Sequence, residues 1–62
     1  MRLVSVRPDI VITGLEPKRR FVLQVNDGFM NIGSGPSGEV RIPCPVEAGD
    51  VVVRIDGEAV QA

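Results

Sequence analysis

Apolar residues recur at every second position in short runs along this chain, and turn-forming residues separate the runs. The sharpest run is RFVLQV. Phe21, Leu23 and Val25 fall on one face of an extended strand, and Arg20, Val22 and Gln24 fall on the other. DVVVRI repeats the pattern with Val51, Val53 and Ile55. Shorter runs place Val4 and Val6 (RLVSV), Ile10 and Ile12 (DIVIT), Met30 and Ile32 (FMNI), and Val40 and Ile42 (EVRI) on inward faces. EAVQA closes the chain. Asn26-Asp27-Gly28 and Asp56-Gly57 read as hairpin turns in which Asp-Gly supplies positive φ. Gly or Pro interrupts nearly every window long enough for a helix, and Val and Ile dominate the apolar residues.

The pattern predicts one β domain over residues 1–62. It is all-β, a small antiparallel β-barrel or β-sandwich of six to seven short strands. The expected core is Val4, Val6, Ile10, Ile12, Phe21, Leu23, Val25, Ile32, Val40, Ile42, Val51, Val53 and Ile55. Val11, Val22 and Val52 then point away from it. Two readings follow: a neighbour covers this second apolar face, or the chain alone wraps both faces.

Composition bears on that choice. A chain of 62 residues buries only about 60% of its unfolded surface. Domains this small usually add disulfides, a metal or a partner subunit. Cys44 is the single cysteine and there is no His, which excludes an internal disulfide and argues against a protein zinc shell. A partner surface remains, and with it a homo-oligomer. The net charge of −1 supplies no strong field for nucleic acid or an anionic membrane. No run approaches the roughly 18 apolar residues of a membrane span, and MRLVSVRPDI lacks the apolar core of a signal peptide. The expectation is a protein complete from its own Met1 and cytoplasmic at synthesis.

Three stretches invite a chemical reading. Gly33-Ser34-Gly35-Pro36-Ser37-Gly38 matches the dinucleotide fingerprint G-x-G-x-x-G, and Asp56 lies where a ribose partner would. The fingerprint works by opening a helix whose N-terminus holds the pyrophosphate. Here EVRIPCP follows, β-branched and stopped by Pro43. The stretch reads instead as a loop between strands, without large side chains, able to follow another surface closely. No cofactor is expected. Cys44 lies between two prolines with only carboxylates to serve as a base, so it reads as a small packed residue. The carboxylates sit mostly at turns. With no His and no Tyr, the expected function is non-enzymatic. Lys18-Arg19-Arg20 is the one basic cluster, and no Trp or Tyr stands by to stack on bases.

One pattern covers nearly the whole chain. LEP and RFVLQV are followed by the glycine-rich DGFMNIGSGPSG and then by VEAGDVVVRIDGEAVQA. In this it resembles the small all-β proteins that decorate or cement the capsids of tailed phages. That resemblance implies a virion-associated subunit, an oligomer and often a trimer, seated on a larger protein shell, with no catalytic or ligand residues. Val22, Phe29 and Val52 are the expected self-assembly residues. The loop Gly33, Ser34, Gly35, Pro36, Ser37 and Gly38 and the turn Lys18, Arg19 and Arg20 are the expected docking elements. GEVRIP with AGDVVVRID also resembles swapped-hairpin DNA-binding domains. It implies an alternative, a small nucleic-acid-binding regulator using the Lys18–Arg20 turn. A third class is a peptide adaptor using an exposed strand edge.

Overall fold

The computed structural model describes Met1–Gln61. Seven strands follow one another: β1 (Arg2–Ser5), β2 (Asp9–Thr13), β3 (Arg20–Val25), β4 (Gly28–Gly33), β5 (Val40–Pro43), β6 (Val53–Ile55) and β7 (Glu58–Ala59). They form two antiparallel sheets, one of three strands in the order β1-β2-β5 and one of four in the order β4-β3-β6-β7. The arrangement is sandwich-like. One backbone bond, from Leu3 N–H to Gln61 C=O at 2.9 Å, bridges the end of the larger sheet to β1. Among the described residues no helix is long and apolar enough to cross a membrane.

The core follows the period-two pattern. Ile10 and Ile12 of β2, Phe21, Leu23 and Val25 of β3, Val40 of β5, and Val53 and Ile55 of β6 are all buried together. Val6, Ile32, Ile42 and Val51 pack against this cluster while half-buried. The deepest residues are Ile10 and Ile12, from one of the shorter runs, and Leu23, from the sharpest; even a short alternation commits a whole face at once.

Val4 departs from expectation. It is 57% exposed, and Leu3 packs on the core in its place. The β1–β2 register explains this. Leu3 pairs with Ile12 and Ser5 with Val11, so Val4 is the extra residue of a β-bulge. The bulge resets the alternation and lets Leu3 and Val6 both turn inward. Met30 also falls short of full burial, at 36% exposed. It lies opposite Leu23 on the inner face of β4, but β4 packs on β3 and makes no comparable contact with the other sheet. Leu15 and Val60 are buried core residues outside the strands. Leu15 stands in the β2–β3 connection and Val60 just after β7, with no periodicity to mark either.

The two hairpin turns are built differently. Asp56 and Gly57 both take positive φ, 49° and 87°, as a two-residue type I′ turn requires. In the β3–β4 hairpin, Gly28 pairs with Val25 inside the ladder, and positive φ falls on Asn26 instead of the Asp-Gly pair. Asn tolerates that region, and its amide has a task there, described below.

Leu23 is fully buried, so Leu23→Ala is expected to cost about 2–5 kcal/mol. The whole chain should hold roughly 3–9 kcal/mol at 0.05–0.15 per residue. Urea titration should therefore find the Leu23→Ala midpoint lowered by a large fraction of the parent value. Val4→Ala, at the bulge, should stay within about 0.5 kcal/mol of the parent. A loss at Val4 comparable with that at Leu23 would contradict the bulge.

Candidate functional site

The glycine-rich stretch and the basic turn were separate candidates; the fold makes them one unit. The stretch connects β4 to β5, and the segment Gly14–Arg19 connects β2 to β3. Leu15 N–H donates to Gly38 C=O at 3.0 Å, Lys18 N–H to Gly35 C=O at 3.2 Å, and Ser34 N–H to Arg19 C=O at 2.8 Å. The Ser34 hydroxyl is buried between them. It accepts from Arg19 N–H at 2.9 Å and donates to Glu16 C=O. Gly38 has φ of 73°, and a Cβ there would lie 2.1 Å from the Leu15 carbonyl oxygen. No side chain fits. The loop does follow another surface closely, and that surface is its own chain. Ser34 and Gly38 are buried in this contact and have no outward surface to dock with. Gly33, Pro36 and Ser37 remain exposed, and Gly35 is half-buried. The strand β5 begins at Val40, where a dinucleotide cradle would need a helix.

Lys18, Arg19 and Arg20 are all exposed. Arg19 is engaged within the chain. Its guanidinium lies 3.1 Å from a Glu16 carboxylate oxygen and 5.1 Å from the centre of the Phe21 ring. The ion pair is solvent-exposed and contributes little to stability. Arg20 stands at the start of β3, directly opposite Gly33.

The third candidate group comes together on the outer face of the four-stranded sheet. The ladder pairs Val22 with Asn31, Gln24 with Phe29, and Gln24 with Arg54. Val52 follows one step further along, where Asn26 N–H donates to its carbonyl at 2.9 Å. Val22, Phe29 and Val52 therefore surround Gln24 on one face. They are 42%, 69% and 52% exposed. Val11, on the other sheet, is half-buried.

Two side chains that sequence reasoning treated only as turn formers extend the ladder beneath this face. At one end, Asp56 Oδ1 accepts from Val22 N–H at 2.9 Å, and Asp56 N–H donates to Val22 C=O at 2.9 Å. At the other end, Asn26 Oδ1 accepts from Val52 N–H at 2.9 Å. Each continues the β3–β6 ladder by one step beyond the regular strands. The signal was present in the residue types, since Asn and Asp bond to backbone near turns. Their distant partners were not.

Two open depressions complete the surface. One, of about 420 Å³, is lined by the apolar Met1, Leu15 and Phe21 and by the carboxylates of Glu16, Asp56 and Glu58. The other, of about 460 Å³, lies between Arg7, Pro8, Cys44, Val46 and Glu47. Cys44 is half-buried there, its thiol 3.3 Å from the Val46 carbonyl. Arg7 ties down the same segment, donating to Val46 C=O at 3.2 Å and to Gly49 C=O at 2.8 Å. Among the described residues no three His, Cys, Asp or Glu side chains gather closely enough to hold a metal ion.

Comparison of the chain with protein-family models, with curated proteins and with solved structures returns no match.

The loop contact yields a graded expectation for thermal melts. Gly38→Ala drives a Cβ into backbone and should be the most damaging change, leaving little folded protein. Ser34→Ala strips a partner from Arg19 N–H and from Glu16 C=O, at a cost of about 1–3 kcal/mol. Gly33→Ala meets nothing within 4 Å and should leave the melt within about 0.5 kcal/mol of the parent. Equal tolerance at Gly33 and Gly38 would show that the loop is not packed as described.

Proposed function

We propose that this protein is a non-enzymatic structural and interaction subunit. In this reading it assembles with itself and docks on a larger protein shell, such as the capsid of a tailed phage. The observation that carries the reading is the outer face around Gln24, where Val22, Phe29 and Val52 lie open on a sheet whose ladder is extended at both ends by Asp56 and Asn26. Single exposed apolar residues are ordinary, but three on one sheet face, interspersed here with Gln24, Asn31 and Arg54, favour an interaction surface. The small core gives such a contact a further use, because a bound neighbour stabilises the folded state by mass action. The resemblance of the sequence pattern to capsid decoration proteins supplies the particular kind of shell. The exposed remainder of the loop, Gly33, Pro36 and Ser37, and the side chains of Lys18 and Arg20 form a second, polar contact surface beside it.

Sedimentation equilibrium across micromolar to millimolar concentration is expected to show a defined oligomer. Co-sedimentation with icosahedral particles should recover the chain at fixed stoichiometry. A stable monomer that binds no particle would overturn the reading. Binding to nucleic acid that weakens steeply with salt, and vanishes in the double variant Arg19→Ala/Arg20→Ala, would replace it with the regulator.

A further inference from the structure

We propose that β4 is the self-assembly edge, and that it pairs antiparallel with β4 of a second copy about a two-fold axis at Asn31. The inference rests on the self-assembly reading above and specifies its geometry.

Four strands could offer an edge, and three are blunted. β5 carries Arg41 and Pro43. β7 is two residues long and includes Glu58. β1 carries Arg2, and its Leu3 N–H is already bonded to Gln61 C=O. Charge, proline, shortness and covering are the usual protections of a sheet edge. β4 has none of them. GFMNIG runs for six residues without a charge or a proline, and every residue except Ile32 is exposed. An uncharged edge is one that can meet its own copy without repulsion.

The ladder fixes which groups of β4 are open. Antiparallel pairs alternate between those that exchange hydrogen bonds and those that do not. Ser34 N–H donates to Arg19 C=O, immediately beyond the pair of Arg20 with Gly33. Arg20·Gly33, Val22·Asn31 and Gln24·Phe29 are therefore the non-bonded pairs. The backbone N–H and C=O of Phe29, Asn31 and Gly33 point away from β3. Among the described residues none of these three backbone groups bonds elsewhere.

A two-fold axis at Asn31 uses all of them. Phe29 then faces Gly33 of the second copy, Asn31 faces Asn31, and Gly33 faces Phe29. Each pair exchanges two hydrogen bonds, about six in all. Met30 faces Ile32 on the inner side, so two half-covered apolar residues close the seam below. On the outer side an aromatic ring covers a glycine, a recognised cross-strand device. Gly33 has no side chain between Arg20 and that ring, so the Arg20 guanidinium can reach across it to the Phe29 face of the second copy. The result is a continuous eight-stranded sheet. Its outer face carries both sets of Val22 and Val52, which remain available to the larger shell.

Amide hydrogen exchange at a series of protein concentrations reads the pairing directly. Met30 and Ile32 amides should exchange slowly throughout, while Phe29, Asn31 and Gly33 should become protected only as the dimer forms. Asn31→Pro deletes an amide that the isolated chain leaves unbonded and should weaken dimerisation at least about tenfold. Phe29→Lys, which touches no ladder bond, should do the same with an unchanged monomer spectrum. A dimer that survives both changes and dissociates in Val52→Lys would overturn edge pairing while leaving self-assembly standing. A trimer would do so too, because a two-fold pairing closes at two copies. Protection of the same amides by shell particles, with no dimer present, would give the edge a different occupant and overturn the proposal. A monomer at every concentration would remove both the pairing and the self-assembly on which it rests.

Discussion

The two chain segments that cross between the sheets at one end of the molecule are bonded to each other, and the rest of the sandwich is hung on that contact. β2 belongs to the smaller sheet and β3 to the larger; β4 belongs to the larger and β5 to the smaller. The connections Gly14–Arg19 and Ser34–Glu39 carry the chain across and back. They approach so closely that Gly38 must lack a Cβ. Buried backbone groups need partners, and here the loops bond to each other, with the Ser34 hydroxyl serving Arg19 N–H and Glu16 C=O. Leu15, held by this contact through its N–H, becomes a core residue although it stands in a turn.

Much of the fold could be read from the sequence because strand alternation is a local code. RFVLQV and DVVVRI announced both of their faces, and Asp56-Gly57 announced its turn. The features that could not be read are those decided by distant parts of the chain. The bulge at Val4 depends on how β1 meets β2. The burial of Leu15 depends on where its connection lands, and that of Val60 on the bond from its N–H to Val53 C=O. The glycine-rich loop shows both sides of this. Its lack of large side chains was legible and does permit a close approach. The thing approached is the carbonyl of Leu15, not a phosphate or a foreign surface, and only the fold brings that carbonyl there. Phe29 and Val52 could be named as outward apolar residues, but not as neighbours around Gln24, since that needs the register of both ladders.

The opposite crossing, from β5 to β6, is longer and is held by the β1–β2 connection, through one backbone bond and the Arg7 side chain, and by Asn26. Arg7 reaches Val46 and Gly49, Cys44 N–H donates to Pro8 C=O, and Asn26 receives Val52. These bonds are mostly exposed, and exposed polar contacts are worth less than buried ones. Stability should therefore be graded along the molecule, highest near Ser34 and Gly38 and lowest over Pro45–Asp50, where local opening is easiest.

The tight end also determines what the open edge can do. The Ser34 bond to Arg19 ends the β3–β4 ladder on a bonded pair, and alternation then dictates that Phe29, Asn31 and Gly33 turn their backbone outward. A slip of one residue would send Met30 and Ile32 outward and expose the side chains that now border the core. Burial of the Ser34 hydroxyl thus specifies more than a corner. It holds the register that keeps one uncharged strand edge open, with an aromatic residue at one end and a glycine at the other. In the pairing we propose, these two ends are the complementary halves.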